Sequence, residues 1–260
     1  MTIADRPLGG WRILVTRPAD QIPPFAAALE AAGAEAVVYP TITVEPPPSW
    51  EALDGALKKI AAYQWVIFTS PSAVRFTLAR AGATDASGTT LPPFAGLKVA
   101  AVGAQTARAL AAAGIAVDVV PDSDQRQEGL LASLTALPPG TRVLFPQALG
   151  GRDLLAQRLT EQGCLVDVVP VSRTTALPLT GGPPPFDVAV FASPSAFRAF
   201  VDGHGLAPLG GRLIAAIGPT TAAAIADAGV TVDVIPAAPS AAAMVSALIA
   251  FRRHRRATPV

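Results

Sequence analysis

The chain has 260 residues, 51% hydrophobic and only 15% charged, with a formal net charge of +1. That balance excludes a disordered chain and leaves no broad nucleic-acid footprint, while the length accommodates two domains with a core each. One cysteine, Cys164, and two histidines, His204 and His254, exclude a disulfide framework and leave almost no material for a zinc site or a histidine-based triad.

Short apolar runs alternate with Ala/Leu-rich helical patterns along the whole chain. They begin with "RILVTRP" from Arg12, "PFAAALEAAG" from Pro24 and "AEAVVYPTITV" from Ala34. Next come "WVIFTS", "SAVRFTLARAG", "KVAAVG", "TARALAAAG" and "VDVVP", covering Trp65 to Pro121. "EGLLASLTAL", "RVLFPQ", "DLLAQRLTEQG" and "VDVVPVSRTT" follow, the last ending at Thr175. After a Pro/Gly-rich break stand "DVAVFAS", "SAFRAFV", "RLIAAIG", "TTAAAIADAG" and "VDVIP", and a last helix is predicted from about Ser240. The apolar runs are too continuous to alternate by face, as in strands buried on both sides, so the pattern predicts βαβ units and parallel sheets. About ten strands are predicted, in two five-stranded sheets.

The chain repeats itself. "FTSPSAV" at Phe68 matches "FASPSAF" at Phe191, and "VAAVGAQTARALAAAGIAVDVVP" matches "IAAIGPTTAAAIADAGVTVDVIP". "WRILVTRPADQIPPFAAALEAAGAEAVVYP" matches "TRVLFPQALGGRDLLAQRLTEQGCLVDVVP", so the unit that comes first in one half comes last in the other. This is the order produced when an α/β domain is inserted into its own duplicate. One domain is therefore expected at 1–40 plus 176–260 and the other at 47–168. The connectors at 41–46 and 169–175 are β-prone, which predicts a paired two-stranded hinge.

In open α/β sheets ligands bind beyond the carboxyl ends of the strands. Ser70 with Pro71, and Ser193 with Pro194, read as helix caps at such points, and "VGAQTA" from Val102 and "IGPTTA" from Ile217 add glycine turns before two more helices. Four turns of this kind predict a cleft for an anionic small molecule, held by free backbone N–H groups. Neither "GAQTAR" nor "GPTTAA" matches a phosphate loop or a dinucleotide fingerprint, and "ALGGRD" is only a weak phosphate-like turn.

All but three of the 20 basic residues are arginines, whose planar fork suits carboxylates, although high genomic G+C produces the same bias. Arg17, Arg152 and Arg173 are placed to meet anions. Arg17 stands first, at the end of the first strand, with pairing to Asp20 or Glu45 as the alternative. Asp122 and Asp124 fall in a polar turn, and "RRHRR" at Arg252 to Arg256 reads as a solvated terminus. Cys164 reads as a small buried hydrophobe. Neither a leader pattern nor an uncharged apolar run of about 18 residues is found, so a cytoplasmic protein with no membrane partner is expected.

In order and spacing, "ILVTRP", "VIFTSPSAV", "KVAAVGAQTARAL", "EGLL", "GGRDLLAQRL", "VFASPSAF" and "AIGPTTAAAI" resemble uroporphyrinogen-III synthases from Arg12 to Ala250. The resemblance implies an α/β fold of two flavodoxin-like parallel-sheet domains, one inserted in the other and joined by a two-stranded connector. It implies a monomeric, cofactor-independent lyase whose substrate is hydroxymethylbilane, an open tetrapyrrole with eight carboxylates. Transient contact with hydroxymethylbilane synthase is implied as well, with neither nucleic acid nor membrane. Carried over residue by residue, Ser70, Ser72, Gly103, Thr106, Ser193, Ser195, Gly218, Thr220 and Thr221 would hold acetate and propionate groups, with Arg17 pairing one carboxylate. The family's usual tyrosine in the second connector is replaced by Ser172 in "VSRTT", which leaves Ser172 and Tyr39 as the candidates to assist departure of the hydroxyl. Gln147, the repeat partner of Arg17, removes a charge the family often supplies. Two other readings stand beside this one. The first is a non-catalytic two-domain paralogue that binds an anionic tetrapyrrole or other small effector. The second is a nucleotide-dependent enzyme of Rossmann type, disfavoured by the missing fingerprints.

Overall fold

The computed structural model describes residues 6–82, 94–122, 124–134 and 136–257. Residues 1–5 of the stretch inspected for a leader, and the side chain of Arg256 in the basic terminus, lie outside that description.

In chain order the strands are β1 (Arg12–Val15), β2 (Glu35–Val38), β3 (Ile42–Glu45), β4 (Trp65–Phe68), β5 (Lys98–Ala101), β6 (Arg142–Ala148), β7 (Leu165–Ala176), β8 (Val188–Phe191) and β9 (Leu213–Ala216). The helices are α1 (Pro23–Ala31), α2 (Glu51–Lys58), α3 (Pro71–Ala81), α4 (Ala104–Ala112), α5 (Gln127–Ser133), α6 (Leu154–Glu161), α7 (Pro194–His204), α8 (Pro219–Asp227) and α9 (Ala241–Ala257). The chain divides into two compact units, Met1–Thr43 with Thr175–Val260 (unit 1) and Val44–Thr174 (unit 2).

Unit 1 holds a sheet in the order β2-β1-β8-β9, every neighbouring pair parallel. The second sheet runs β3-β7-β6-β4-β5, and its β7/β6, β6/β4 and β4/β5 pairs are parallel. Along β1, Ile13 and Val15 pack on one face and Leu14 on the other; along β4, Val66 and Phe68 oppose Trp65 and Ile67. Each apolar run therefore serves two cores, which is why the strands are apolar throughout. In unit 1, Phe25 and Leu29 of α1 and Met244 and Leu248 of α9 cover one face, and Phe197 and Phe200 of α7 with Ile225 of α8 cover the other. Unit 2 repeats the scheme, with α5 and α6 on one face and α2, α3 and α4 on the other.

The two expected five-stranded sheets need a correction. "VDVVP" and "VDVIP" do not become strands: each makes a single bridge, Ala100 with Val119 and Ala215 with Val234. The aspartate in each run takes the backbone amide that a longer ladder would use. Asp118 Oδ2 accepts from Val99 N, and Asp233 Oδ2 from Ile214 N, both at 2.7 Å. Pro121 and Pro236 follow and have no N–H to continue the pairing. The fifth strand of the second sheet is instead β3, from the first connector, hydrogen-bonded to β7. β7 runs unbroken from the expected domain into the expected second connector, and its register shifts opposite Gln147 and Ala148, where Pro170 lacks a donor.

The duplication extends to individual backbone bonds. Asp187 Oδ2 accepts from Arg12 N and Gln64 Oε1 from Arg142 N, both at 2.8 Å, at the same position in each unit. Gly33 and Gly163, both at φ +89°, end α1 and α6 in the left-handed conformation that a side chain would strain.

In the terminal basic run Arg253, His254 and Arg255 are exposed as expected, but Arg252 is not. α9 continues through it, and Arg252 donates to the carbonyls of Pro7 (3.3 Å) and Gly9 (2.6 Å) while lying 4.8 Å from the Trp11 ring centroid. Cys164 is buried, and burial pushes its thiol pKa up, so it packs as a hydrophobe. Among the described residues no helix is long and apolar enough to cross a membrane.

Candidate functional site

Strand register fixes which residues share the carboxyl edge of each sheet. In unit 1, Val15 pairs with Val190 and Val190 with Ala215; counting three residues on brings Pro18, Ser193 and Gly218 level. In unit 2, Leu144 pairs with Val66 and Val66 with Val99; counting four on brings Ala148, Ser70 and Gly103 level, with Ser172 beside Ala148. Each row crosses the place where strand order reverses, between β1 and β8 and between β6 and β4, which is the ligand position of open α/β sheets.

The two Ser-Pro turns are built alike. Ser70 and Ser193 are extended (φ −157° and −161°), and each hydroxyl accepts from the amide three residues on, Ala73 or Ala196, at 3.1 Å. A proline occupies the next position, where no intrahelical donor is needed. Gly103 and Gly218 cap α4 and α8 in the same extended geometry, with φ −176° in both. Ser72, Ser195 and Thr220 are at least partly solvent-exposed, whereas Thr106 and Thr221 are buried.

At the edge of unit 1, Arg17 is partly buried, with Nε shielded from solvent and lacking any hydrogen-bond partner. Its guanidinium lies 5.3 Å from the Phe25 ring centroid, and desolvation lowers its pKa from the ordinary value. Of the two rival partners named from the sequence, Glu45 binds Arg173 at 2.9 Å. Beneath it, Thr16 Oγ1 donates to Val190 O at 2.9 Å and ties β1 to β8. α1 begins on Pro23 and Pro24, which have no N–H, so the positive charge at this corner comes from Arg17.

Unit 2 fills the same places with its own side chains. Gln147, level with the Arg17 position, is buried and donates to Asp153 Oδ1 at 2.9 Å. Arg152 is held in a fork by both carboxylate oxygens of Glu128, at 2.6 and 3.1 Å. Gln127, 9% exposed, donates to Arg152 O (2.9 Å) and accepts from Leu155 N (3.0 Å), closing the N-terminus of α6. Two residues earlier, Gln125 Oε1 accepts from Ala104 N at 3.3 Å, at the N-terminus of α4. Gln125 and Gln127 were missed in the sequence because "PDSDQRQEG" looks like a solvated turn; two glutamines spaced by one residue ahead of a helix were the available signal. Asp124 pairs with the neighbouring Arg126 at 2.6 Å, and Asp122 is exposed.

The two candidates for assisting hydroxyl departure belong to different units, Tyr39 to unit 1 and Ser172 to unit 2. Ser172 lies at the unit 2 edge but is only 1% exposed. The Tyr39 hydroxyl sits 2.7 Å from His204 Nε2, with its ring against Phe200, and burial raises its pKa. His204 closes α7 at the end away from the Ser193 turn, roughly 15 Å along the helix. Among the described residues no group of three or more His, Cys, Asp or Glu could hold a metal ion.

A family model described as uroporphyrinogen-III synthase HemD matches residues 23–246. A uroporphyrinogen-III synthase of Synechococcus elongatus is 40% identical over 169 residues, covering 65% of this chain and 62% of that protein. The porphyrin biosynthesis protein HemD of Ruminiclostridium josui is 30% identical over 169 residues, 65% of this chain and 33% of that protein. The chain thus spans less than two thirds of the length of either relative. A uroporphyrinogen-III synthase of Chlorobaculum parvum is 30% identical over 233 residues, 86% of this chain and 92% of that protein. In fold the chain is similar to the crystal structure of a mutant uroporphyrinogen III synthase of Thermus thermophilus, with TM-score 0.63, 22% identity and coverage of 96% of this chain and 100% of that one. It is also similar to the enzyme of Helicobacter pylori, with TM-score 0.61, 18% identity and coverage of 92% and 98%.

Proposed function

Because the chain belongs to the uroporphyrinogen-III synthase family, we propose that it cyclises hydroxymethylbilane to uroporphyrinogen III with inversion of ring D. The observation that carries this reading is the pair of level rows of helix-capping turns, one per unit, suited to a substrate with many carboxylates. Arg17 pairs one carboxylate. Ser193, Ser195, Gly218, Thr220 and Thr221 in unit 1, and Ser70, Ser72, Gly103 and Thr106 in unit 2, hold others.

In the reaction, hydroxide leaves the hydroxymethyl carbon of ring A and an azafulvene cation remains. Ring D attacks through its substituted carbon, and the resulting spiro intermediate fragments and recloses with ring D inverted, for a net loss of one water. Uncatalysed closure gives the symmetric type I isomer, so holding ring D in the attacking geometry is the protein's main task. The burial of Ser172 and the distant partner of Tyr39 support a mechanism in which neither side chain delivers the proton. We place this activity in the cytoplasm, in a monomer that meets hydroxymethylbilane synthase only transiently.

The test generates hydroxymethylbilane in situ with a deaminase, adds the protein, oxidises the products and separates the type I and type III isomers. Predominant type III supports the synthase. Type I alone, at the rate of the blank, overturns it in favour of a paralogue that binds without cyclising.

A further inference from the structure

The two glutamines of the "QRQ" segment close two helix N-termini of unit 2, but on different terms. Gln127 is buried and makes two side-chain hydrogen bonds, so it is a fixed part of the fold. Gln125 is exposed and makes one long bond of 3.3 Å to Ala104 N. Its side chain also lies across Gly103, where an added Cβ would stand 2.6 Å from Gln125 Oε1 and 2.9 Å from Gln125 Cβ. The matching turn of unit 1 has no such cover: an added Cβ at Gly218 would meet nothing within 4 Å. The segment after "VDVIP" that corresponds to "DSDQRQ" is "AAPS", which has no side chain able to reach back as an amide acceptor.

We propose that Gln125 is a displaceable internal stand-in for a substrate carboxylate. Its amide oxygen occupies the α4 turn of unit 2 in the free protein, and a carboxylate must displace it there. The proposal rests on the reading of the Gly103 turn as a carboxylate subsite. A neutral acceptor on one long hydrogen bond is the weaker occupant, because an ionised carboxylate gains from both the N–H and the positive end of the helix dipole. The residue therefore sets selectivity: a neutral ligand gains too little to displace it, whereas a carboxylate does so. The position is held from behind by the packing of Asp124 on α5, where a Cβ at Gly129 would collide with the Asp124 carbonyl.

The test compares wild type with Gln125→Ala and Gln125→Glu, both exposed substitutions that spare the core. Two quantities are read: the dissociation constant for uroporphyrin III, an octacarboxylate, by fluorescence, and KM and kcat with hydroxymethylbilane. Gln125→Ala should lower the dissociation constant and KM roughly two- to fivefold, as expected for removing one competing neutral hydrogen bond, with kcat unchanged. Gln125→Glu should raise both, because a carboxylate tethered at the same turn competes better and repels the ligand. Equal binding by all three proteins, weaker binding by Gln125→Ala, or no binding by any of them overturns the proposal. The synthase reading fails separately, if wild type yields no type III isomer, because the order of binding among the three is measured without turnover.

Discussion

The corner after β1 and the corner after β6 occupy the same place in two copies of one fold, yet one is open and the other sealed. Arg17 stands at the first with a partnerless, desolvated Nε; at the second, Gln147 is bound to Asp153 and Arg152 to Glu128. The bonds that build the scaffold are the same in both copies: Ser70 and Ser193 on their helices, Asp118 and Asp233 on β5 and β9. Those bonds satisfy backbone amides whose loss would destabilise either unit, so both copies retain them. Edge groups serve ligands and are free to differ. On the proposed reading, unit 1 anchors an anion and unit 2 accepts one after displacing its own side chain.

The strongest way to break this contrast is Arg17→Gln, which gives unit 1 the residue type found at the matching position of unit 2. It should lower kcat/KM about 10- to 100-fold, the range for one hydrogen bond to a charged group, without lowering the melting temperature, since an unpaired desolvated charge is removed. Gln127→Ala attacks the seal from the other side. It leaves Leu155 N and Arg152 O without their partner and should cost about 2 kcal/mol in urea unfolding, an effect with no counterpart in unit 1. The scaffold predicts equality instead: Ser70→Ala and Ser193→Ala should each cost about 1 kcal/mol, as N-cap losses do. Smallest of all, Tyr39→Phe should cost about 0.5–1 kcal/mol through its bond to His204, with turnover within about twofold of wild type. A large loss of turnover in Tyr39→Phe would restore that hydroxyl as the proton donor.

Most of the sheet framework was legible in the sequence because each strand is buried on both faces and reads as a continuous apolar run. "VDVVP" and "VDVIP" carry the same signal but yield single bridges, because one aspartate redirects the neighbouring amide and a proline ends the run. The connector β3 pairs with β7, as the β-prone connectors predicted, but that this pairing would complete the second sheet was not visible from the local pattern. At the edges, Ser70, Ser193 and Arg17 were legible from their places after strands. Gln125 and Gln127 were not, since what they do depends on backbone amides 21 residues before the first and 28 residues after the second. Arg252 was misread as solvated because its acceptors, the carbonyls of Pro7 and Gly9, lie at the other end of the chain.

The most direct measurement is the ratio of type III to type I uroporphyrin formed from hydroxymethylbilane by wild type and by Arg17→Gln side by side. Predominant type III from wild type, shifting toward type I in the variant, is the predicted result. Identical ratios and rates for the two proteins would contradict the claim that unit 1 anchors the substrate through its open corner.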